Sequence, residues 1–251
     1  MTEQRIAQAA ALLVDARRSM KPLAGLPAAC CPETVAEAHA VQDAVTALLG
    51  KPVGAYKAMA PANGEANRGV IYAETVVASP SRMPAALVPN CGVEGEVAFI
   101  FRTALPPRAA PYTRDEVAAA VDAVAAIEVV HSRYTDHNKA SNMEKMADCI
   151  SNGALVHSAA MPGWQKLDLG KIHVRLTVNG ATVLEKDGGH PLGDPLAVAV
   201  VLANMMRGTI GVSAGQMVTC GSYTGLMFLK PGDVCGVTFE GLGSAEVTFV
   251  A

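Results

Sequence analysis

The segment Cys-Gly-Val-Glu-Gly-Glu-Val-Ala-Phe-Ile-Phe, residues 91–101, sets two carboxylates at alternate positions of a run rich in β-branched and aromatic residues. Pro89-Asn90 and Arg102 bound it, so it reads as a β-strand. Side chains alternate along a strand, which puts Glu94 and Glu96 on one face with Ala98 and Ile100. Val93, Val97, Phe99 and Phe101 take the other face. Two neighbouring carboxylates repel each other, so their face is either wet or holds a cation. A third acid, Glu128, stands between Ile127 and Val129-Val130 in a second apolar run. Burying a lone carboxylate is costly unless it is paired or ligates a metal. Glu128 therefore reads either as half of a salt bridge or as the third ligand of a cation shared by two strands. An all-oxygen ligand set favours Mg²⁺, Mn²⁺ or Ca²⁺ over zinc.

Other groups offer chemistry beside this trio. Lys57 shares a face with Val53 and Ala55 near the end of a strand over 53–59. It either snorkels to water or, facing the carboxylates, acts as an acid/base group or substrate anchor. His131 and His137 flank Asp136 at no metal-ligand spacing, and residues 131–147 read as a surface loop or lid. Gly-Ser-Tyr-Thr-Gly at 221–225 is either an ordinary turn or a loop offering Ser222, Thr224 and its amides to an anion. There is no Gly-x-Gly-x-x-Gly, no P-loop and no Gly-x-Ser-x-Gly elbow.

The elements that must position these groups follow from local signals. Residues 3–20 carry a helical stripe of Ile6, Ala9, Ala10, Leu13 and Ala16. A second helix is flanked by Pro32 and Gly50. Extended segments follow at 53–59, 70–73 and 75–77, with a Pro/Asn/Gly loop over 61–69. Thr113-x-x-Glu116 is a capping box, and it predicts a helix with Val117, Ala120, Val121 and Val124 on one face. Asn179-Gly180 between two apolar runs predicts a type I′ hairpin. Asp194-Pro195 opens a helix to Met206, with Asp194 as its N-cap. Short strands fill the remainder to 250. Helices first and many strands after them predict an α+β body.

The 251 residues are 51% hydrophobic and 17% charged, enough for a sizeable core and against disorder. At net charge −3 with no basic run longer than two residues, a nucleic-acid partner is not expected. No apolar run reaches the roughly 20 residues of a membrane helix. The amino terminus lacks the basic start and cleavage site of a signal peptide. The six scattered cysteines form no Cys-x-x-Cys, which reads as reduced thiols in a cytoplasmic protein.

Taken together, several separated pieces resemble the 2-hydroxypenta-2,4-dienoate (2-keto-4-pentenoate) hydratases and 2-oxo-enedioate decarboxylases of the fumarylacetoacetate hydrolase-like superfamily. Glu-Ala-His-Ala-Val-Gln at 37–42 is similar to their Ala-Tyr-x-Val-Gln helix, and Gly-Ala-Tyr-Lys at 54–57 to their Gly-Tyr-Lys segment. Residues 93–99 resemble their metal-binding Glu-x-Glu strand, and 126–133 the strand with the third acidic ligand. Leu-Lys-Pro-Gly-Asp at 229–233 and Gly-Leu-Gly at 241–243 resemble their last strands. The resemblance implies a mixed β-roll with a small N-terminal helical domain, divided here as 1–75 and 76–251. It implies a homo-oligomer and Mg²⁺ or Mn²⁺ held by Glu94, Glu96 and Glu128. It also implies hydration of a 2-hydroxy-2,4-dienoate to a 4-hydroxy-2-oxo acid. In that reaction Lys57 is expected to transfer a proton or hold the developing enolate, and the 221–225 loop to offer Ser222 and Thr224 to the substrate carboxylate. Decarboxylation of a 2-oxo-enedioate, acylpyruvate-type C–C hydrolysis and non-catalytic binding of metal and a small acid are the alternatives. The pattern departs from the family at His131, Asn152, Gly153 and Leu155, which stand where hydratases carry Asp, Asp, Asn and Ser.

Overall fold

A computed structural model describes residues 1–59 and 64–251. Two helices come first, α1 (Glu3–Ser19) and α2 (Val35–Leu49). The hydroxyls of Thr2 and Thr34 cap their first turns, accepting from the amides of Arg5 and Glu37, and Gly50 ends α2 in the left-handed region. Four strands follow, β1 (Val53–Met59), β2 (Asn67–Tyr72), β3 (Val76–Ala78) and β4 (Ser81–Pro84). Then come β5 (Gly92–Phe101), α3 (Arg114–Ala120), β6 (Val121–Val130), α4 (Asn142–Ala147) and β7 (Asn152–His157). The hairpin β8 (His173–Val178) and β9 (Ala181–Asp187) precedes α5 (Pro195–Met206). The chain ends with β10 (Met217–Ser222), β11 (Met227–Phe228), β12 (Val234–Phe239) and β13 (Gly243–Val250).

The larger sheet runs β2-β1-β10-β5-β6-β7-β3, with β11 extending the pairing on β5. Its two ends, β2 and β3, are joined by the single turn Ala73–Thr75, so the sheet rolls back on itself. The smaller sheet is β4-β13-β12-β8-β9. Each strand of the roll shows one side to its interior and the other to a shared core. Ala55, Ile71, Ala98, Val124, Ala126, Leu155 and Met217 form the interior cluster. Mostly small side chains suit this confined space. Phe99, Phe101, Ile127 and Val129 point the other way, into the main core with Leu176, Val237, Phe239 and Phe249 of the smaller sheet. This is an α+β fold of mixed sheets with N-terminal helices, as the order of elements predicts.

Strands β1 and β2, inside the 1–75 span, are integral to the larger sheet. Helices α1 and α2 close a separate core with Tyr134, Met146 and Ala147. Two expectations change here. The helix opened by Thr113 does form its capping box, yet stops at Ala120. Val121 and Val124 belong to β6, which pairs with β5 along its whole length and is buried throughout. Continuous pairing on a completed neighbour outweighs the helical preference of the alanines at 123, 125 and 126. Finally, 131–147 is a surface loop only over about 135–141: Ser132, Arg133 and Tyr134 are buried, and Ser141 and Glu144 make the capping box of α4. The loop expected over 61–69 lies partly outside the described residues, and Asn67–Gly69 are already strand.

The Asn179-Gly180 hairpin forms as predicted, both residues at positive φ. Asp194 precedes α5 and Pro195 opens it, but the Asp194 carboxylate pairs with Arg114 rather than capping the helix. Among the described residues no helix is long and apolar enough to cross a membrane. All six cysteines are free.

Candidate metal centre

In the β5–β6 ladder Glu94 lies directly opposite Glu128, and Glu96 opposite Ala126. Paired residues share a face, so all three carboxylates enter the roll's interior beyond the apolar cluster. Their nearest oxygens lie within 4.8 Å of one another. Glu96 and Glu128 are fully buried, while Glu94 retains some exposure and marks the open side.

Lys57 reaches the same point from β1. The register Lys57–Thr219–Ala98 carries the interior face across β1, β10 and β5. Its Nζ stands 3.1 Å from Glu128 and 3.4 Å from Glu94. The two sequence readings of Glu128 thus hold together: it is ion-paired and it is part of an acid trio. Burial by itself would lower the Lys57 ammonium, but Glu128, Glu94 and Glu96 together hold it above the ordinary lysine value. Burial pushes the Glu96 carboxyl up to about 8, helped by the Glu128 charge and opposed by Lys57. Glu128 is also raised, by burial first, against Lys57 and Asn152.

One ammonium does not balance three carboxylates. Two backbone and side-chain donors help: Gly221 N donates to Glu96 Oε2 at 2.9 Å, and Asn152 Nδ2 to Glu128 Oε1 at 3.1 Å. Glu96 Oε1 remains buried with no partner. Glu128 Oε2 lies 3.1 Å from Lys57 without a directed hydrogen bond. Buried unpartnered acceptors and uncompensated negative charge are what a small hard cation with oxygen ligands relieves. The residues present therefore fit a divalent cation of the Mg²⁺ or Ca²⁺ type.

The loop at 221–225 divides the two hydroxyls assigned to substrate. Ser222 is in register with Glu96. Its Oγ accepts from Gly225 N at 2.9 Å, which leaves its proton free to donate. Thr224 lies over Gly95, on the opposite side of β5 from the carboxylates. Its hydroxyl accepts from Gly95 N at 2.8 Å and donates to Gly225 O at 3.1 Å. Its proton and one lone pair thus serve Gly225 and Gly95, on the face of β5 away from the carboxylates. The same contact explains Gly95: a Cβ there would meet Thr224 and Val237 at 2.8 Å.

Sequence reasoning missed the support behind Glu128. Asn152 opens β7, and Arg133 Nη1 donates to its carbonyl at 2.7 Å. Arg133 Nε and Arg17 Nη2 both meet Asp148, which is fully buried. Between Asp148 and Asn152 the backbone makes a left-handed turn through Cys149, Ile150 and Ser151, all at positive φ. The buried Arg-Asp pair carries no local motif, and Arg17, Arg133 and Asp148 are too far apart in the chain for the residue order to signal it. Thr219, another missed residue, faces the interior between Lys57 and Ala98 with its hydroxyl buried and unpartnered. His137 sits 3.2 Å from Ser151 Oγ. Burial, then Lys145 and Lys57, keep its ring below the ordinary histidine value, with Glu94 among the charges opposing them. His131 contacts Asn90 at 2.8 Å and is pushed down to about 3 by burial, Arg133 and Arg17.

A model of the fumarylacetoacetate (FAA) hydrolase C-terminal family matches residues 32–250. The chain belongs to the fumarylacetoacetate hydrolase family. Its relatives within that family are enzymes. It is 28% identical over 263 residues to a 2-keto-4-pentenoate hydratase of Paraburkholderia xenovorans strain LB400, covering 99% of this chain and 96% of the relative. A 4-oxalocrotonate decarboxylase of Pseudomonas putida is 30% identical over 162 residues, 63% of this chain and 60% of that one. Among solved structures, the 4-oxalocrotonate decarboxylase of Pseudomonas putida G7, complexed with magnesium and adipate, superposes with TM-score 0.87. The match spans 100% of this fumarylacetoacetate hydrolase-family chain and 99% of that one at 22% identity, a likeness of fold.

Proposed function

We propose that this chain is a metal-dependent hydro-lyase that adds water to a 2-hydroxy-2,4-dienoate, through its 2-oxo-enoate tautomer, to give a 4-hydroxy-2-oxo acid. The observation that carries the reading is the convergence of Glu94, Glu96 and Glu128 on Lys57, with buried carboxylate oxygen left unsatisfied. The full-length similarity to a 2-keto-4-pentenoate hydratase supports the choice of reaction.

Glu94, Glu96 and Glu128 would hold Mg²⁺ or Mn²⁺. Such a cation supplies Lewis acidity toward the substrate's carboxylate and 2-oxygen, stabilising enolate charge. The chain's own groups do the rest. Asn152 and Gly221 fix the orientation of Glu128 and Glu96, so the acceptor geometry is set before anything binds. Lys57 is positively charged beside its carboxylates, so it acts as a donor: it steadies the developing enolate oxygen and delivers a proton during ketonisation. Ser222, on β10 in register with Glu96 and with a free hydroxyl proton, orients the substrate carboxylate. The apolar floor below the acids, with Ala98, Ala126 and Leu155, keeps water from approaching from beneath.

Decarboxylation of a 2-oxo-enedioate uses the same electron sink, and the similarity to a 4-oxalocrotonate decarboxylase favours it as the second reading. One assay separates the two. Purified protein with Mg²⁺, then Mn²⁺, is given 2-hydroxypenta-2,4-dienoate and 2-oxohex-3-enedioate while ultraviolet loss and products are followed. A hydroxylated product supports the hydratase; CO₂ release supports the decarboxylase; no turnover of either defeats both. In the same assay Lys57→Met lowers kcat by about 10²–10⁴-fold, the usual range for a lost proton-transfer group. An unchanged kcat removes Lys57 from the mechanism.

A further inference from the structure

The acid trio is not the only place where charge collects. Outside the roll, between α1, the end of α2 and the edge strands β2, β3 and β4, lies a half-open cavity of about 390 Å³. That is within the range of small-molecule sites, about 300–1,000 Å³. None of Lys57, Glu94, Glu96 and Glu128 lines it. Its floor is apolar, with Tyr72, Val77, Met83 and Ala154. Met20 and Leu87 stand at its mouth, large apolar side chains left 38% and 60% exposed.

Among the charged residues of its lining, cations outnumber acids five to one. Arg17, Arg18, Lys51, Arg82 and Arg133 face one carboxylate, Glu74, which pairs with Lys51. Asp148 is shared by Arg17 and Arg133. Arg17 Nε is buried without a partner, while Arg18 gives one donor to Leu48 O. A chain of net charge −3 thus gathers surplus positive charge around one apolar hollow. Surplus guanidinium over an apolar floor matches an anionic head with an apolar body. Guanidinium forks suit carboxylates, and the hydrocarbon part gains from leaving water.

We propose that this cavity is a second binding site, separate from the metal centre, for a small organic carboxylate with an apolar chain or ring. The carboxylate meets Arg17, Arg18 and Arg82, and the apolar body lies on Tyr72, Val77 and Met83. The site stands independently of the reaction assigned above.

Octanoate titrated into the full chain by calorimetry tests it, with octanol as the uncharged control. Octanoate binds saturably at one site per chain, and octanol at least about ten-fold more weakly. The exposed rim can be changed without touching the core: the double variant R18Q/R82Q weakens octanoate at least about ten-fold, with its melting temperature unchanged. Glu94→Gln leaves octanoate affinity within about two-fold, since the acid trio lies elsewhere. Loss of octanoate on Glu94→Gln places the binding in the metal centre and overturns the proposal. So does equal affinity of R18Q/R82Q and wild type, equal affinity for octanol, or no saturable binding. Light scattering covers the remaining occupant: if Leu87→Glu dissociates an assembly of this chain, the hollow is a subunit interface and the proposal falls.

Discussion

Two buried charge clusters flank Asn152, and they are finished differently. On the outer side, Asp148 accepts from the Arg133 amide and side chain and from Arg17, using both its oxygens. Arg133 Nη1 and Nη2 donate to the carbonyls of Asn152 and Asp148. On the inner side, three carboxylates share one ammonium, and Glu96 Oε1 has no partner at all. In the first cluster the Asp148–Arg133 pair is fully satisfied and fastens the left-handed turn before β7, and only Arg17 Nε, at its outer end, lacks a partner. The second is open and carries excess charge of one sign. Equal burial therefore does not mean equal purpose: a satisfied cluster stabilises, and an unsatisfied one is shaped for something that is added.

That contrast can be broken by experiment. The largest effect is expected for Glu128→Ala: turnover of the dienoate falls at least about 10³-fold, and Mg²⁺ affinity by calorimetry falls more than the roughly 10–100-fold of a supporting residue. Its melting temperature holds, because a repelling carboxylate has been removed; unchanged metal affinity defeats the three-glutamate centre. Asp148→Ala should do the opposite. It leaves Arg133 buried without its partner and costs about 3–5 kcal/mol in urea unfolding. If the two variants behave alike, the distinction between closed and open clusters is wrong.

A smaller effect concerns pH. The His131 imidazole, held down to about 3 in the folded chain, regains its ordinary value near 6.5 on unfolding. The unfolded state then binds the extra proton, so the contribution is present above pH 6.5 and is lost as pH falls below it. Stability should drop by roughly 1–2 kcal/mol from this group between pH 7 and pH 5. His131→Asn should flatten that part of the profile in thermal melts; an identical profile shows another group responsible. The smallest effect on turnover is for Thr224→Val, which strands the Gly95 amide and costs about 1–3 kcal/mol of stability while kcat stays within two-fold (~0.4 kcal/mol). A large loss of kcat would return Thr224 to the substrate.

How much of this was legible in the residue order depends on the range of the interaction. Glu94 and Glu96 share a face because a strand alternates, and nothing distant can change that. The second helix before Gly50, the capping box at Thr113, the Asn179-Gly180 hairpin and the Pro195 helix start are likewise local, and each forms. Even the isolation of Glu128 among Ile127, Val129 and Val130 was a readable sign of burial. The strand β6 was less legible at its start, where alanines at 123, 125 and 126 suit a helix as well as a buried ladder.

The tertiary structure decided what the alternating faces meet. Rolling the sheet brings Lys57, on β1, to Glu128, on β6, although β10 and β5 lie between them in the sheet order. It sets Asn152 behind Glu128, and it sends Ser222 and Thr224, two residues apart, to different sides of β5. Local alternation is fixed by backbone geometry within a few residues. Which carboxylate is paired, which is braced and which oxygen is left open depends on pairing between segments as far apart as 57, 128 and 219, and only the closed roll supplies that.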